Sequence, residues 1–285
     1  MNNKNEGIAL PILPIFRDGR GLEVFHYAAS ETKFVYKEIF EDRVYFRHGI
    51  TLSARDCVWD IGANIGLFTV FVQENFEEIR VHAFEPSPQL YQILTANTAR
   101  YGQRVVAHCC GIAGQEGEAA FTFYPHYSIM SGFHAHDQHD GRSLRAGIAH
   151  QWSQLYPDEP NLEDRFLDDM ADSALGQKQE IVCRLRTISH LMEETRTQEI
   201  ALLKIDAEGS ELDILSGISD EHWSAIRQIV MEIHDGEGNV AAPILRMLEA
   251  RGFQTTVEEE AGLSGSGVVN CYAVRPPDLP IQVDL

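Results

Sequence analysis

Positive charge is scarce in this chain of 285 residues: 23 Lys and Arg stand against 43 Asp and Glu, leaving a net charge of −20. So acidic a surface repels phosphate backbones and anionic membrane surfaces, which argues against a nucleic-acid or lipid-surface partner. Cysteine is sparse as well. Its five occurrences (Cys57, Cys109, Cys110, Cys183 and Cys271) are odd in number and form no CxxC pair. They make neither a disulfide framework nor a zinc site, and they suit a reducing, cytoplasmic setting. No apolar run reaches the ~18 residues of a membrane span. The opening MNNKNEGIALPILPIF has one Lys and an apolar stretch broken by Pro11 and Pro14, unlike a signal peptide. Repeats and low-complexity tracts are absent. Apolar residues at 44% and charged residues at 23% describe an ordinary globular chain.

Short apolar runs ended by glycine or proline alternate with helical patterns from residue 56 onward. CVWDI, IRVHAF, RVVAHCC, EIALLKID and QIVMEIH read as strands. LFTVFVQENF, SPQLYQILTANTARYG, GSELDILSGI and VAAPILRMLEARG read as helices between them, with Ser87 as an N-cap and Pro88 in the first turn. A second short helix is read at DEHWSAI. Such alternation predicts βαβ units and a parallel sheet. EAAFTFYP is predicted as an antiparallel strand, and FQTTVEEE with GVVNCYAVR as a closing hairpin. Residues 1–55 read as an N-terminal attachment or lid. Residues 126–180, with a helical piece from Arg142 to Tyr156, read as an inserted lid over a core that spans 56–285.

Three constellations carry chemistry. Asp60-Ile-Gly62-Ala-Asn64-Ile-Gly66 lies where a buried strand becomes a helix, and glycines there admit close approach of a ligand. Glu85, at the end of the next strand and about 20 residues on, is placed to take both ribose hydroxyls of a nucleoside. A dinucleotide fingerprint needs a glycine where Asn64 stands, which disfavours a nicotinamide cofactor. Asp60 inside the pocket would repel phosphate and welcome an ammonium group, which points to S-adenosyl-L-methionine. The second constellation is Lys204-Ile-Asp206-Ala-Glu208-Gly209-Ser210-Glu211, whose Asp206 and Glu208 should face the same crevice. The third is Glu232-Ile-His234-Asp235, in which His234, oriented by Glu232, is a candidate general base with Asp206 near the acceptor hydroxyl. An oxygen-rich magnesium site on Asp206, Glu232, His234 and Asp235 is an alternative to a metal-free base. The run of His134, His136, Asp137, His139 and Asp140 lacks the spacing of a metallohydrolase site and reads as a solvated lid. No metal ligands are assigned. Arg142 and Arg145 offer a basic patch for an acidic carrier protein.

DIGANIGLFTVF, AFEPSPQLYQILTAN and LLKIDAEGSELDILSGI together resemble the FkbM family of S-adenosylmethionine-dependent methyltransferases. YKEIFEDRVYFRHGITL, FTFYPHYSIMSG and IRQIVMEIHD extend the likeness across residues 34–274, toward the branch associated with polyketide and non-ribosomal peptide assembly. Gly209 departs from the Lys expected in that branch. The resemblance implies a class I methyltransferase, an α/β Rossmann-like sheet of seven strands with the last antiparallel. It implies O-methylation of a hydroxyl on a secondary metabolite or its carrier-tethered precursor. Asp60, Gly62, Asn64 and Gly66 would hold the methionine part, Glu85 the ribose, and Cys110, Gly111 and Ile112 the adenine. N- or C-methylation and a non-catalytic cofactor-binding module remain open as alternatives, and oligomeric state is not legible.

Overall fold

The structure, a computed structural model, describes residues 15–125, 127–134, 141–235, 238–259 and 268–276. Its main sheet has seven strands: β3 (Cys57–Ile61), β4 (Arg80–Phe84), β5 (Val105–His108), β9 (Leu202–Ile205), β10 (Gln228–His234), β11 (Gln254–Glu259) and β12 (Val268–Val274). They lie in the order β11-β12-β10-β9-β3-β4-β5. β5, β4, β3, β9 and β10 are parallel, and β12 runs antiparallel to both β10 and β11. This is the class I methyltransferase sheet, with the last strand of the described residues antiparallel as expected.

Helices cover both faces. α2 (Leu67–Asn75) and α3 (Pro88–Thr98) lie on one side, joined by α1 (Ala29–Tyr36) and the turn of π-helix after it. Tyr36, Ile39, Phe40 and Tyr45 share a core with Phe68 and Phe71. α6 (Ile188–Thr195), α7 (Glu211–Ser216) and α8 (Ala241–Ala250) bury Leu191, Ile214 and Ile244 on the other face. Ser87 caps α3 by accepting from the Leu90 amide, with Pro88 in the first turn, as the sequence predicts. The predicted helix at DEHWSAI is a single 3-10 turn, Trp223–Ala225.

Outside the main sheet, β1 (Ile15–Arg17) and β2 (Glu23–Phe25) form a hairpin. β6 (Gly111–Ile112), β7 (Gly117–Phe123) and β8 (Gln179–Arg186) form a second, three-stranded sheet. β7 is the predicted antiparallel strand. β8 and α6 have no counterpart in the sequence reading. The signal for β8 is its period-two pattern: Cys183 is buried while its neighbour Val182 is 72% exposed. Between β7 and β8 stand α4 (Gly141–Leu155) and α5 (Asp164–Gly176), which pack Ile148 against Leu167, Ala171 and Ala174.

Candidate active site

The order β4-β3-β9 reverses chain direction of build-up between β3 and β9, and ligands of open α/β sheets bind at the carboxyl ends of strands beside such a switch. β3 ends there in a tight bend. Gly62 has φ +72°, and a Cβ on it would stand 1.8 Å from the Asp206 carbonyl oxygen, so only glycine lets the two strand ends meet. Gly62 and Ala63 both donate backbone hydrogen bonds to the Phe84 carbonyl, which ties the bend to β4. Gly66 (φ +87°) begins α2, and a Cβ there would press to 2.6 Å from Leu94 of α3.

Beside this bend lies a pocket enclosing about 410 Å³, part of it open to solvent. Gly62, Glu85, Cys110, Gly111, Ile112 and Asp206, all singled out from the sequence, line it together. Phe84, Pro86, Phe133 and Ile214 give it flat apolar walls, and no Lys or Arg is among its lining residues. A phosphate-bearing cofactor would find no cation among these lining residues, whereas a neutral purine with a cationic tail meets apolar walls and two carboxylates. Glu85 is 3% exposed and accepts the amides of Ser87 at 2.8 Å and Asn64 at 2.9 Å, one on each oxygen. Each oxygen keeps a second lone-pair direction for a hydroxyl. Burial pushes the Glu85 carboxyl up to about 7, against those two amide bonds.

Asp60 is not where the sequence placed it. It is fully buried, and the ammonium it meets is the protein's own: Lys204 Nζ lies 3.2 Å away, and Thr69 donates to its other oxygen at 2.7 Å. The cause is register, because Asp60 on β3 is the direct partner of Lys204 on β9. Lys204 also donates to the Gly62 carbonyl at 2.9 Å and stands 3.5 Å from Asp206. Burial pulls the Lys204 pKa down, but Asp60 and Asp206 more than offset it and hold the amine charged. Lys204 thus pins the bend from below, a role the sequence reading did not assign. A lysine inside an otherwise apolar strand was the available signal, since a buried charge needs a partner.

Asp206 receives a further hydrogen bond from Tyr45 Oη at 3.2 Å. Asn64 donates to Ser128 Oγ at 3.2 Å. Ser128 in turn donates its amide, at 2.6 Å, and its hydroxyl to the buried Glu31 of α1. Nothing local in the sequence marks Tyr45, Ser128 and Glu31 as neighbours of the motif residues, because these partners come from segments far apart in sequence.

Glu232 and His234 point the same way from β10, as alternation predicts, with Nε2 of His234 3.3 Å from Glu232. The imidazole is nevertheless not a free base. Nε2 is also 3.3 Å from Glu208, and Nδ1 is 3.1 Å from Glu211. Burial opposes the charged ring, yet the three carboxylates drive its pKa well above the ordinary value, so it stands as an imidazolium. Burial and the neighbouring acids push Glu208 up in the same cluster. Glu211 also accepts the Gly209 amide at 2.9 Å, so it supports the start of α7 as well as His234.

The magnesium set is not brought together either. Asp235 turns its carboxylate to the amides of Asn239, Val240 and Ala241, at 2.6, 2.8 and 3.0 Å, and caps α8 instead. Among the described residues, the acid and imidazole grouping with ligand spacing is Glu193, Glu221 and His222, none of them a residue of this crevice. His134 is exposed, and the rest of the histidine run, 135–140, lies outside the described residues. Arg145 is already paired with Asp164 and Asp168, so it does not form a free basic patch; the Arg142 side chain lies outside the described residues.

A sequence model described as the methyltransferase FkbM domain matches residues 60–255. The chain belongs to the FkbM methyltransferase family. It is accordingly a methyltransferase, and membership implies S-adenosyl-L-methionine as methyl donor. Over 264 residues it is 34% identical to the 31-O-demethyl-FK506 methyltransferase FkbM of Streptomyces tacrolimicus, covering 93% of this chain and 98% of that one. Over 253 residues it is 36% identical to the AMB antimetabolite synthetase AmbE of Pseudomonas aeruginosa. That match takes 87% of this chain but only 12% of AmbE. A crystal structure of methyltransferase FkbM from Methylobacillus flagellatus superposes with a TM-score of 0.46 at 16% identity, over 80% of this chain and 46% of that one. So loose a likeness carries no argument about the site. No helix among the described residues is long and apolar enough to cross a membrane.

Proposed function

We propose that this FkbM-family enzyme methylates a hydroxyl oxygen of a secondary metabolite, either free or as a carrier-tethered precursor. The observation that supports the reading is the pocket at the switch point, where a buried acid just after β4 and an acid just after β9 flank apolar walls, with no Lys or Arg among the described lining residues. The naming of one relative for a 31-O-demethyl substrate favours oxygen over nitrogen or carbon.

Bound S-adenosyl-L-methionine supplies a methyl group already activated on sulfonium. The chain's own residues then have to bind, orient and keep water out. Cys110, Gly111 and Ile112 line the adenine and Glu85 takes the ribose hydroxyls. Gly62 and Asn64 shape the bend around the methionine part, while Asp60 and Gly66 hold that bend from behind through Lys204 and α3. Asp206 accepts the hydrogen bond of the acceptor hydroxyl and receives its proton, steadied by Tyr45 and Lys204. Glu232 and His234 form the charge-balancing cluster behind it. The described parts of the N-terminal segment, from residue 15 to 55, and of the insertion at 126–180 are the segments to which choice of the acceptor falls.

Glu85→Ala is expected to weaken S-adenosylhomocysteine binding about 10- to 100-fold, the worth of a charge-assisted hydrogen bond or two. The wild-type affinity should fall as pH drops below about 7, since protonation removes the acceptor that the ribose needs. Without ligand the sign reverses: the folded state binds more protons than the unfolded one between the ordinary carboxyl value and about 7, so apo stability falls as pH rises through that window. Calorimetric titrations at several pH values check both. The chemical reading is tested by transfer of labelled methyl from S-adenosyl-L-methionine to paired hydroxyl and amine acceptors, free and carrier-tethered. Label appearing only on nitrogen or carbon replaces O-methylation with the alternative chemistry. Cofactor binding without any transfer favours a non-catalytic module.

A further inference from the structure

Ser210 occupies the N-cap position of α7, yet its side chain makes no capping hydrogen bond. Serine at that position ordinarily accepts an amide from the first turn of the helix. Its hydroxyl is instead turned inward. Ser210 is 3% exposed, its Oγ has no hydrogen-bond partner, and the residue lines the pocket beside Asp206 and Ala207. A buried hydroxyl left without a partner is destabilising, and native structures rarely keep one that no ligand or water completes.

The residues that share the lining with it bear on which part of a ligand it meets. Ile214, one helical turn on and on the same side of α7, also lines the pocket. Asp213 of the same helix accepts the Gly114 amide at 2.9 Å, and a Cβ on Gly217 would stand 2.5 Å from the Ala113 carbonyl. α7 is therefore docked against the segment that follows Cys110, Gly111 and Ile112. Ser210 shares the pocket lining with Phe84, Ile112 and Ile214, and these apolar walls fit a flat aromatic ring. Ser131, another serine of the lining, has its Oγ engaged by the Tyr124 amide at 3.0 Å.

We infer that the Ser210 hydroxyl hydrogen-bonds the edge of the adenine ring and so contributes directly to recognition of the methyl donor. This rests on the reading of the pocket as an adenosyl site and adds a polar contact for the ring. A hydroxyl both donates and accepts, so it can serve a ring nitrogen or the 6-amino group.

The test uses the whole 285-residue chain, with S-adenosylhomocysteine as the probe. Ser210→Ala should weaken binding about 5- to 30-fold, and Ser210→Thr, which keeps the hydroxyl, should recover at least part of the loss. Thermal melts of the unliganded proteins report whether each variant is folded. Analogues of the probe lacking N1, N3, N7 or the 6-amino group locate the contact. At least one should bind wild type more weakly than the parent compound, and that difference should vanish in Ser210→Ala. Equal affinity of wild type and Ser210→Ala overturns the inference. So does a raised acceptor KM with intact affinity for the probe, which would place the hydroxyl against the acceptor instead. A wild-type protein that does not take up the probe defeats the reading of the pocket itself, a separate result from a variant that binds as well as wild type.

Discussion

Lys204→Met is expected to destabilise the protein by about 3–5 kcal/mol, the usual cost of removing one partner from a buried ion pair, and to abolish methyl transfer. Methionine matches the volume and flexibility of the lysine stem, so the effect isolates the charge. With the ammonium gone, Asp60 stays fully buried with only the Thr69 hydroxyl in contact. The Gly62 carbonyl loses its donor, and Asp206 loses the cation 3.5 Å away. Urea unfolding measures the stability and labelled-methyl transfer the activity. The double variant Lys204→Met with Asp60→Leu separates the two effects. Removing both charges should restore much of the stability, because an apolar pair of similar volume replaces a buried ionic one. Activity should stay lost, because the bend at Gly62 remains unpinned. A single variant within about 1 kcal/mol of wild type would show that the pair is not held in a dry interior.

The same residue shows what was legible in the sequence and what was not. The bend after β3 and the acid ending β4 could be read because each depends on local chemistry: an apolar run, a glycine, an acidic strand end. The pocket accordingly gathers Gly62, Glu85, Cys110, Gly111, Ile112 and Asp206. Which side chain meets which depends on strand register, and nothing local sets it. Asp60 looked free to receive a ligand's ammonium only because its partner stands across a strand pair, at position 204. Tyr45 reaches Asp206 over a separation of 161 residues, and Glu31 reaches Ser128 over 97. Residues 1–55 read as an attachment or lid, but nothing local shows that this segment delivers a hydroxyl and a carboxylate to the motif residues. β8 escaped for a different reason. Its alternation is partial, with Ile181, Val182 and Cys183 consecutive and a buried Arg186 at its end, and its partner β7 lies about 60 residues upstream.

His234→Gln decides between two roles for the imidazole. A free base near its ordinary pKa would leave fold stability almost untouched when replaced, and its loss would remove the imidazole step from the pH–rate profile. The arrangement around His234 predicts otherwise. Glu208, Glu211 and Glu232 converge on its two ring nitrogens within 3.1–3.3 Å, and His234 is the imidazolium that balances them. Replacing it with a neutral amide should cost about 3–5 kcal/mol near neutral pH, since three acids then share a buried space without a cation. The sign of the pH dependence follows from the raised pKa. The stabilisation is fully present below the unfolded value of an imidazole, about 6.5, and is lost as pH climbs through the higher folded value. The gap in melting temperature between wild type and His234→Gln should therefore narrow from pH 7 upward. Affinity for S-adenosylhomocysteine should change only a few-fold, because His234 does not line the pocket, while turnover should fall as Glu208 and Glu232 lose their fixed positions behind Asp206. A variant that melts with wild type at every pH and loses only turnover would return the proton-accepting role to the imidazole. One that melts far lower, with the gap closing as pH rises, leaves that role to the carboxylate at the mouth of β9.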